Sequence, residues 1–250
     1  MEAVTSENTA GIAGYYDPEK TTTGDHYRFS ETTPTYIRHE FVKKVFGIVG
    51  LQLLFSYGFM FACYYTEPAR LFFLKNRWIG VVGLLIFAIT SLVVACKPAS
   101  VHNTTNAFLF ISFMTLLMSL YLTSFCVAFF PFEIFIACGI TLGVVFALTL
   151  FAMQTKYDFT QYLTYALVIC ICLIFFSIFA MIFRNKVLNI VYSTVGALVI
   201  SFYLLIDVQL VVGGKKYEWT TDDYALASIV LYSDVISLFI HILSLVGNSS

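Results

Sequence analysis

Five stretches of this chain contain no Asp, Glu, Lys or Arg: residues 45–66, 78–96, 98–132, 134–155 and 159–183. A helix needs about 20 apolar residues to cross a hydrocarbon core about 30 Å thick, and several of these stretches are that long. Apolar residues make up 59% of the sequence and charged residues 12%. Soluble domains sit near 45–50% and about 25%, and a soluble core of 250 residues has no use for so much hydrophobe. A membrane barrel would show alternating segments of about ten residues, not unbroken apolar runs. The chain is therefore expected to be an all-α membrane protein.

Seven spans fit the pattern, at about 45–66, 78–95, within 107–130, then 132–153, 161–183, 187–212 and 224–246. The stretch between the first two is read as a loop carrying Arg70, Lys75 and Arg77. Thr221 is placed to cap the last span, with Asp222 and Asp223 in its first turn. Residues 1–35 have neither a basic start nor an apolar stretch, and are expected to be a disordered polar tail without a targeting peptide. The seven-helix domain then covers 36–247. Lys and Arg concentrate on the cytosolic side of membrane proteins. Lys20, Arg28, Arg38, Lys43, Lys44, Lys97, Lys156, Lys215 and Lys216 share the side of the N-terminus, against Arg70, Lys75, Arg77, Arg184 and Lys186 on the other. This favours a cytosolic N-terminus. The net charge of −1 gives no footprint for nucleic acid. All six cysteines lie in or beside apolar runs, and Cys170-Ile171-Cys172 lacks the C-x-x-C spacing, so they read as small hydrophobes.

The acids inside or at the edge of apolar segments are Glu133, Asp207 and Asp234. Glu133 stands at a span boundary, where headgroups can meet it. Asp207 and Asp234 interrupt the sixth and seventh spans, where a carboxylate costs about 3 kcal/mol or more. Such a group must face the bundle interior or water. Counted from the shared loop, the two lie about 9 and 15 Å deep. Consecutive helices joined by a short loop run antiparallel, so the two carboxyl groups can meet in one plane. Facing carboxylates in low dielectric resist ionising together and titrate as a unit. They form a proton-sensitive element and a hard-oxygen pair suited to Ca²⁺. The plainer reading is a polar clasp that only fixes helix packing. His241, two helical turns from Asp234 on the same face, is a candidate proton relay. Intramembrane aspartyl proteases also pair two aspartates, but they join Tyr-Asp to Gly-x-Gly-Asp. Leu205-Ile206-Asp207 and Tyr232-Ser233-Asp234 lack those glycines. No phosphate loop or nucleophile motif is present, and an enzyme is not expected.

Several segments, in order, resemble the Lifeguard subgroup of the Bax-inhibitor (transmembrane BAX inhibitor motif) family. They are Lys43-Lys44-Val45-Phe46 with Leu51-Gln52-Leu53, Gly139-Ile140-Thr141, and the run from Phe151 to Thr160. Further on come Phe183-Arg184-Asn185-Lys186, Gly196-Ala197-Leu198, Asp207-Val208-Gln209-Leu210, and the closing run from Leu231 to Phe239. The resemblance implies seven helices with the last one central in the bundle and the other six around it. It implies that Asp207 and Asp234 form a hydrogen-bonded pair closing a pore. It further implies pH-dependent Ca²⁺ leak from intracellular stores and suppression of apoptosis. An arginine that latches one aspartate in bacterial relatives is replaced here by Lys97, in Cys96-Lys97-Pro98. His241 replaces a residue that is usually aromatic in Lifeguards. The expected function is a pH-sensitive, calcium-permeable leak channel of the endoplasmic reticulum or Golgi membrane, gated by Asp207 and Asp234, with Lys97, Glu133 and His241 as candidate latch or relay. No cofactor is expected, with Ca²⁺ the permeant or bound ion. The partners are the lipid bilayer and apoptosis-related membrane proteins or calcium channels. The alternative is a non-conducting membrane regulator that acts by binding such partners.

Overall fold

The computed structural model describes residues 35–183, 185–213 and 219–249. The expected tail, Arg184, Lys215 and Lys216 lie outside them. Among the described residues there are eight α-helices: α1 (Thr35–Tyr65), α2 (Glu67–Lys75), α3 (Trp78–Cys96), α4 (Thr104–Cys126), α5 (Pro131–Gln154), α6 (Leu163–Phe183), α7 (Lys186–Val212) and α8 (Tyr224–Ser249). All but α2 are long and apolar enough to cross a bilayer. The protein is an all-helical integral membrane protein with seven candidate spans.

Helix ends follow local chemistry. Phe130 precedes Pro131 and is extended (φ −74°, ψ 149°), as a residue before proline prefers. That stops the preceding helix short of the 130 boundary read from hydropathy. The Glu133 carboxylate accepts the Phe130 N–H at 2.9 Å and caps α5. Asn185 caps α7 by accepting the Val187 N–H at 2.9 Å. Gly213 closes α7 at φ 73°, a left-handed conformation that glycine adopts without strain.

The largest departure from the sequence reading is α2, where a loop was expected. Pro68 stands in its first turn, Glu67 at its N-terminal end and Lys75 at its C-terminal end, each favourable to the helix dipole and to the fixed proline φ. Phe73 is buried, and Arg70 sits 4.7 Å from the Tyr64 ring centroid, which docks α2 on the end of α1. A nine-residue helix is too short to show in a search for 20-residue spans.

α8 is central. It packs directly on α1, α4, α5 and α7. Of its most apolar 18 residues 56% are buried, against 22% for α3 and 17% for α5 and α6. The expectation of a central last helix holds, with a refinement: α3 is carried chiefly on α4, and α6 chiefly on α7.

One face of α8 is held by a buried hydroxyl network. Ser56 Oγ donates to the Gln52 carbonyl at 2.8 Å, so the 2.6 Å contact with Tyr232 takes the tyrosine proton. Ser119 Oγ lies 2.9 Å from Ser56 Oγ, and the Gln52 amide donates to Thr115 Oγ1 at 2.8 Å. Tyr232, Ser56 and Ser119 have no exposed surface. On the N-terminal side of the bundle, His102 Nε2 lies 3.2 Å from Asp223 Oδ1. This ties the turn after α3 to the start of α8. Asp223 also accepts from the Thr220 hydroxyl.

Loss of a buried hydrogen bond costs about 1–2 kcal/mol. Tyr232→Phe is expected to lower the unfolding temperature in detergent by that equivalent. Tyr232→Phe with Ser56→Ala should cost less than the sum of the single changes, since both delete one contact. Strict additivity in the thermal unfolding cycle would rule out the coupling.

Candidate functional site

The last two turns of α7 are enclosed on every side. Leu204 through Val211 are all buried, including Asp207 and Gln209. Such all-round burial places this end of α7 inside the bundle, between α5, α6 and α8. Its first two turns show a lipid-facing side, with Val187 and Val191 exposed. A carboxyl group on the enclosed section has nowhere to turn except toward a neighbour.

That neighbour is Asp234. Asp207 is 6% exposed and Asp234 9%, and the two carboxyl groups face each other within interaction range. The antiparallel packing of α7 and α8 compensates their different positions along the helices. Two carboxyl groups share a hydrogen bond only when one carries a proton, because two ionised carboxylates offer acceptors alone. Asp234 Oδ2 is buried and meets no N–H or O–H donor. Among the described residues no Lys, Arg or His forms an ion pair with either aspartate.

The walls of the site include residues that sequence reasoning did not assign. Tyr203 lies one helical turn before Asp207, close to both aspartates and to Cys170 on α6. Cys170 lies near Asp234 as well. The i, i+4 spacing of Tyr203 and Asp207 was a usable signal, but nothing in the sequence placed Cys170 opposite them. Gln209 is 1% exposed and clasps the α5–α6 connection. Its amide donates to the Tyr157 carbonyl at 2.9 Å, and its Oε1 accepts the Phe159 N–H at 2.8 Å. A polar residue two positions from Asp207 in an apolar run was a second visible signal.

The other candidates lie elsewhere. Lys97 ends α3 with an exposed side chain and takes no part in the pair's surroundings. Glu133 caps α5 at the opposite end of the bundle, beside Gly247. His241 lies two turns further along the same face of α8, against Tyr192 and Gly196 of α7. Its Nδ1 donates to the Ser237 carbonyl at 2.8 Å, and its ring centroid lies 5.4 Å from that of Tyr192. A Cβ on Gly196 would stand 2.1 Å from the ring, so the glycine makes the seat for His241.

The described residues contain no group of three or more His, Cys, Asp or Glu side chains placed to hold a metal ion. Two carboxyl groups fall short of the roughly six to eight oxygens that a resident Ca²⁺ takes.

Residues 38–250 match the family model described as inhibitor of apoptosis-promoting Bax1. The chain is 27% identical to Protein lifeguard 3 of Homo sapiens over 237 residues, covering 93% of this chain and 76% of that one. The Mus musculus Protein lifeguard 3 is also 27% identical, covering 93% and 77%. Bax inhibitor 1 of Schizosaccharomyces pombe is 29% identical over 232 residues, covering 88% of this chain and 82% of the relative. With seven candidate spans, a central last helix and a family match across the whole bundle, the chain belongs to the Bax inhibitor family, a non-enzymatic family of membrane proteins.

Proposed function

We propose that this protein is a pH-sensitive, calcium-permeable leak pathway of intracellular membranes that contributes to negative regulation of apoptosis. The observation that carries this reading is the contact between Asp207 and Asp234, two buried carboxyl groups inside neighbouring spans with no cation among the described residues paired to them. The family description and the name Bax inhibitor 1 borne by a relative support the apoptotic side of the reading. The lysine and arginine distribution supports a cytosolic N-terminus.

The mechanism rests on one proton. With it, the pair is a hydrogen bond that joins α7 to α8 and seals the path. Without it, two negative charges face each other. Unit charges about 4 Å apart repel by about 4 kcal/mol at an effective dielectric of about 20. That energy is worth about a thousandfold in a two-state equilibrium, enough to turn a closed bundle into one that opens. The freed carboxylates then offer hard oxygens to a divalent cation. The sign follows directly: acid keeps the proton and the closed state, and rising pH removes it.

Purified protein in liposomes loaded with a Ca²⁺ dye tests this. Leak is expected to rise tenfold or more from acid to neutral pH, well inside the range the repulsion allows. Asp207→Asn and Asp234→Asn each keep a hydrogen bond without the ionisation, so both should flatten the pH profile. Absence of flux from the wild type across the pH range would instead favour a non-conducting regulator that binds apoptotic or channel partners.

A second outcome is expected in cells. Expression of the wild-type chain should raise survival after a death stimulus, and the two Asn variants should lose that effect together with the leak. Full protection by variants that no longer conduct would separate the two activities and overturn the link between them.

A further inference from the structure

A crevice of about 450 Å³ opens between α1 and α4 on the N-terminal side of the bundle. It is separate from the aspartate pair. Its walls are Ile48, Leu51 and Phe55 from α1, and Phe108 and Ile111 from α4. Leu51 and Phe108 are each 69% exposed, so the crevice is open sideways toward lipid. Thr104 and Tyr224 stand at its mouth, where α4 and α8 begin, and Gln52 and Thr115 close its floor. At the floor the Gln52 amide donates to the Thr115 hydroxyl at 2.8 Å and Thr115 Oγ1 donates to the Ile111 carbonyl at 2.7 Å, which leaves Gln52 Oε1 as its one buried acceptor without a donor.

The dimensions of the crevice select its occupant. From Thr104 to Thr115 the rise along α4 is about 16 Å at about 1.5 Å per residue. One leaflet of a hydrocarbon core is about 15 Å deep. The crevice therefore runs from the headgroup level to the midplane, the length of one acyl chain. At the mouth the charge is also defined. Lys44 Nζ lies 3.2 Å from the centroid of the Tyr224 ring, on the residue that lines the mouth. Lys44 stands one helical turn above Ile48 on the same face of α1, and Lys43 beside it is exposed. Asp222 lies within electrostatic range of the same ammonium, and the Tyr224 ring holds that ammonium at the mouth.

We infer that this crevice is a phospholipid site: one acyl chain fills the groove between α1 and α4, and the phosphate meets Lys44. The chemistry that recognises the ligand is a phosphate ester joined to a chain one leaflet long. Sterols and neutral glycerides meet only the apolar part. The site also gives α1 a partner on the face that α8 does not cover.

Native mass spectrometry of the full chain in detergent tests the assignment, with phosphatidylserine and diacylglycerol of identical chains as probes. One phosphatidylserine is expected to stay bound per protein, about fivefold more tightly than diacylglycerol, as one lysine near the headgroups supplies. Lys44→Gln should bring phosphatidylserine down to the diacylglycerol level. Ser112 lines the crevice from an exposed position, so Ser112→Trp should fill it and release both lipids. Leu51→Trp serves as a second filling variant, and circular dichroism confirms that each remains helical. Retention unchanged in both filled variants, or equal retention of the two lipids by the wild type, would overturn the site. A dimer that disappears in Ser112→Trp would also overturn it, by making the crevice a contact between two copies of the chain.

Discussion

Everything in this bundle depends on how α8 is held in place. Between helices surrounded by lipid tails the hydrophobic effect supplies no net attraction, so close packing and polar contacts have to organise the bundle. α8 carries such contacts on two sides. Tyr232 reaches the Ser56 hydroxyl on α1, which Ser119 on α4 also meets. Asp234, two residues later and on a different face, reaches Asp207 on α7. The first contact consists of hydroxyls that do not ionise at physiological pH. In the proposed gate the second depends on a single proton, so that one central helix is fixed on one side by a permanent network and on the other by a titratable pair.

That asymmetry gives the proposed gate its mechanics. When the carboxyl pair loses its proton, the α1–α4 side still anchors α8, and the response falls on α7 and what α7 carries. Gln209 lies just beyond Asp207 and clasps the α5–α6 connection through Tyr157 and Phe159. A displacement at Asp207 is therefore transmitted to the N-terminal-side surface through two hydrogen bonds. The His102–Asp223 contact joins the turn after α3 to the base of α8 on that same surface. The lipid crevice lies on the anchored side, between α1 and α4, where an acyl chain would complete the packing of the helices that do not move.

Asp207 and Asp234 were legible because an acid in a span is costly enough to stand out alone. Gln52 and Ser56, with Thr115, Ser119 and Thr123, also stood at helical spacing in their spans. Hydroxyls are too common in membrane helices to mark a network without its partners. Helix α2 was invisible because its nine residues carry charges and a proline, and only the docking of Phe73 and Arg70 makes it a helix with a place. Lys97 was drawn toward the site by the family resemblance, and Glu133 and His241 by their chemistry. The folded chain puts Lys97 on the surface, Glu133 at the opposite end, and His241 against Gly196.

The sequence by itself determined the spans, their number and the two acids that cannot be left unpaired. Those follow from the cost of exposing backbone or charge to hydrocarbon, which acts on each segment separately. Only the tertiary structure decided that the two acids meet each other, that Cys170 and Tyr203 lie beside them, and that Gln209 ties their helix to a surface loop. Those are outcomes of register and rotation between helices. They are set by which small residue admits which large one across an interface, as Gly196 admits His241, and a single helix carries no record of its neighbours' rotation.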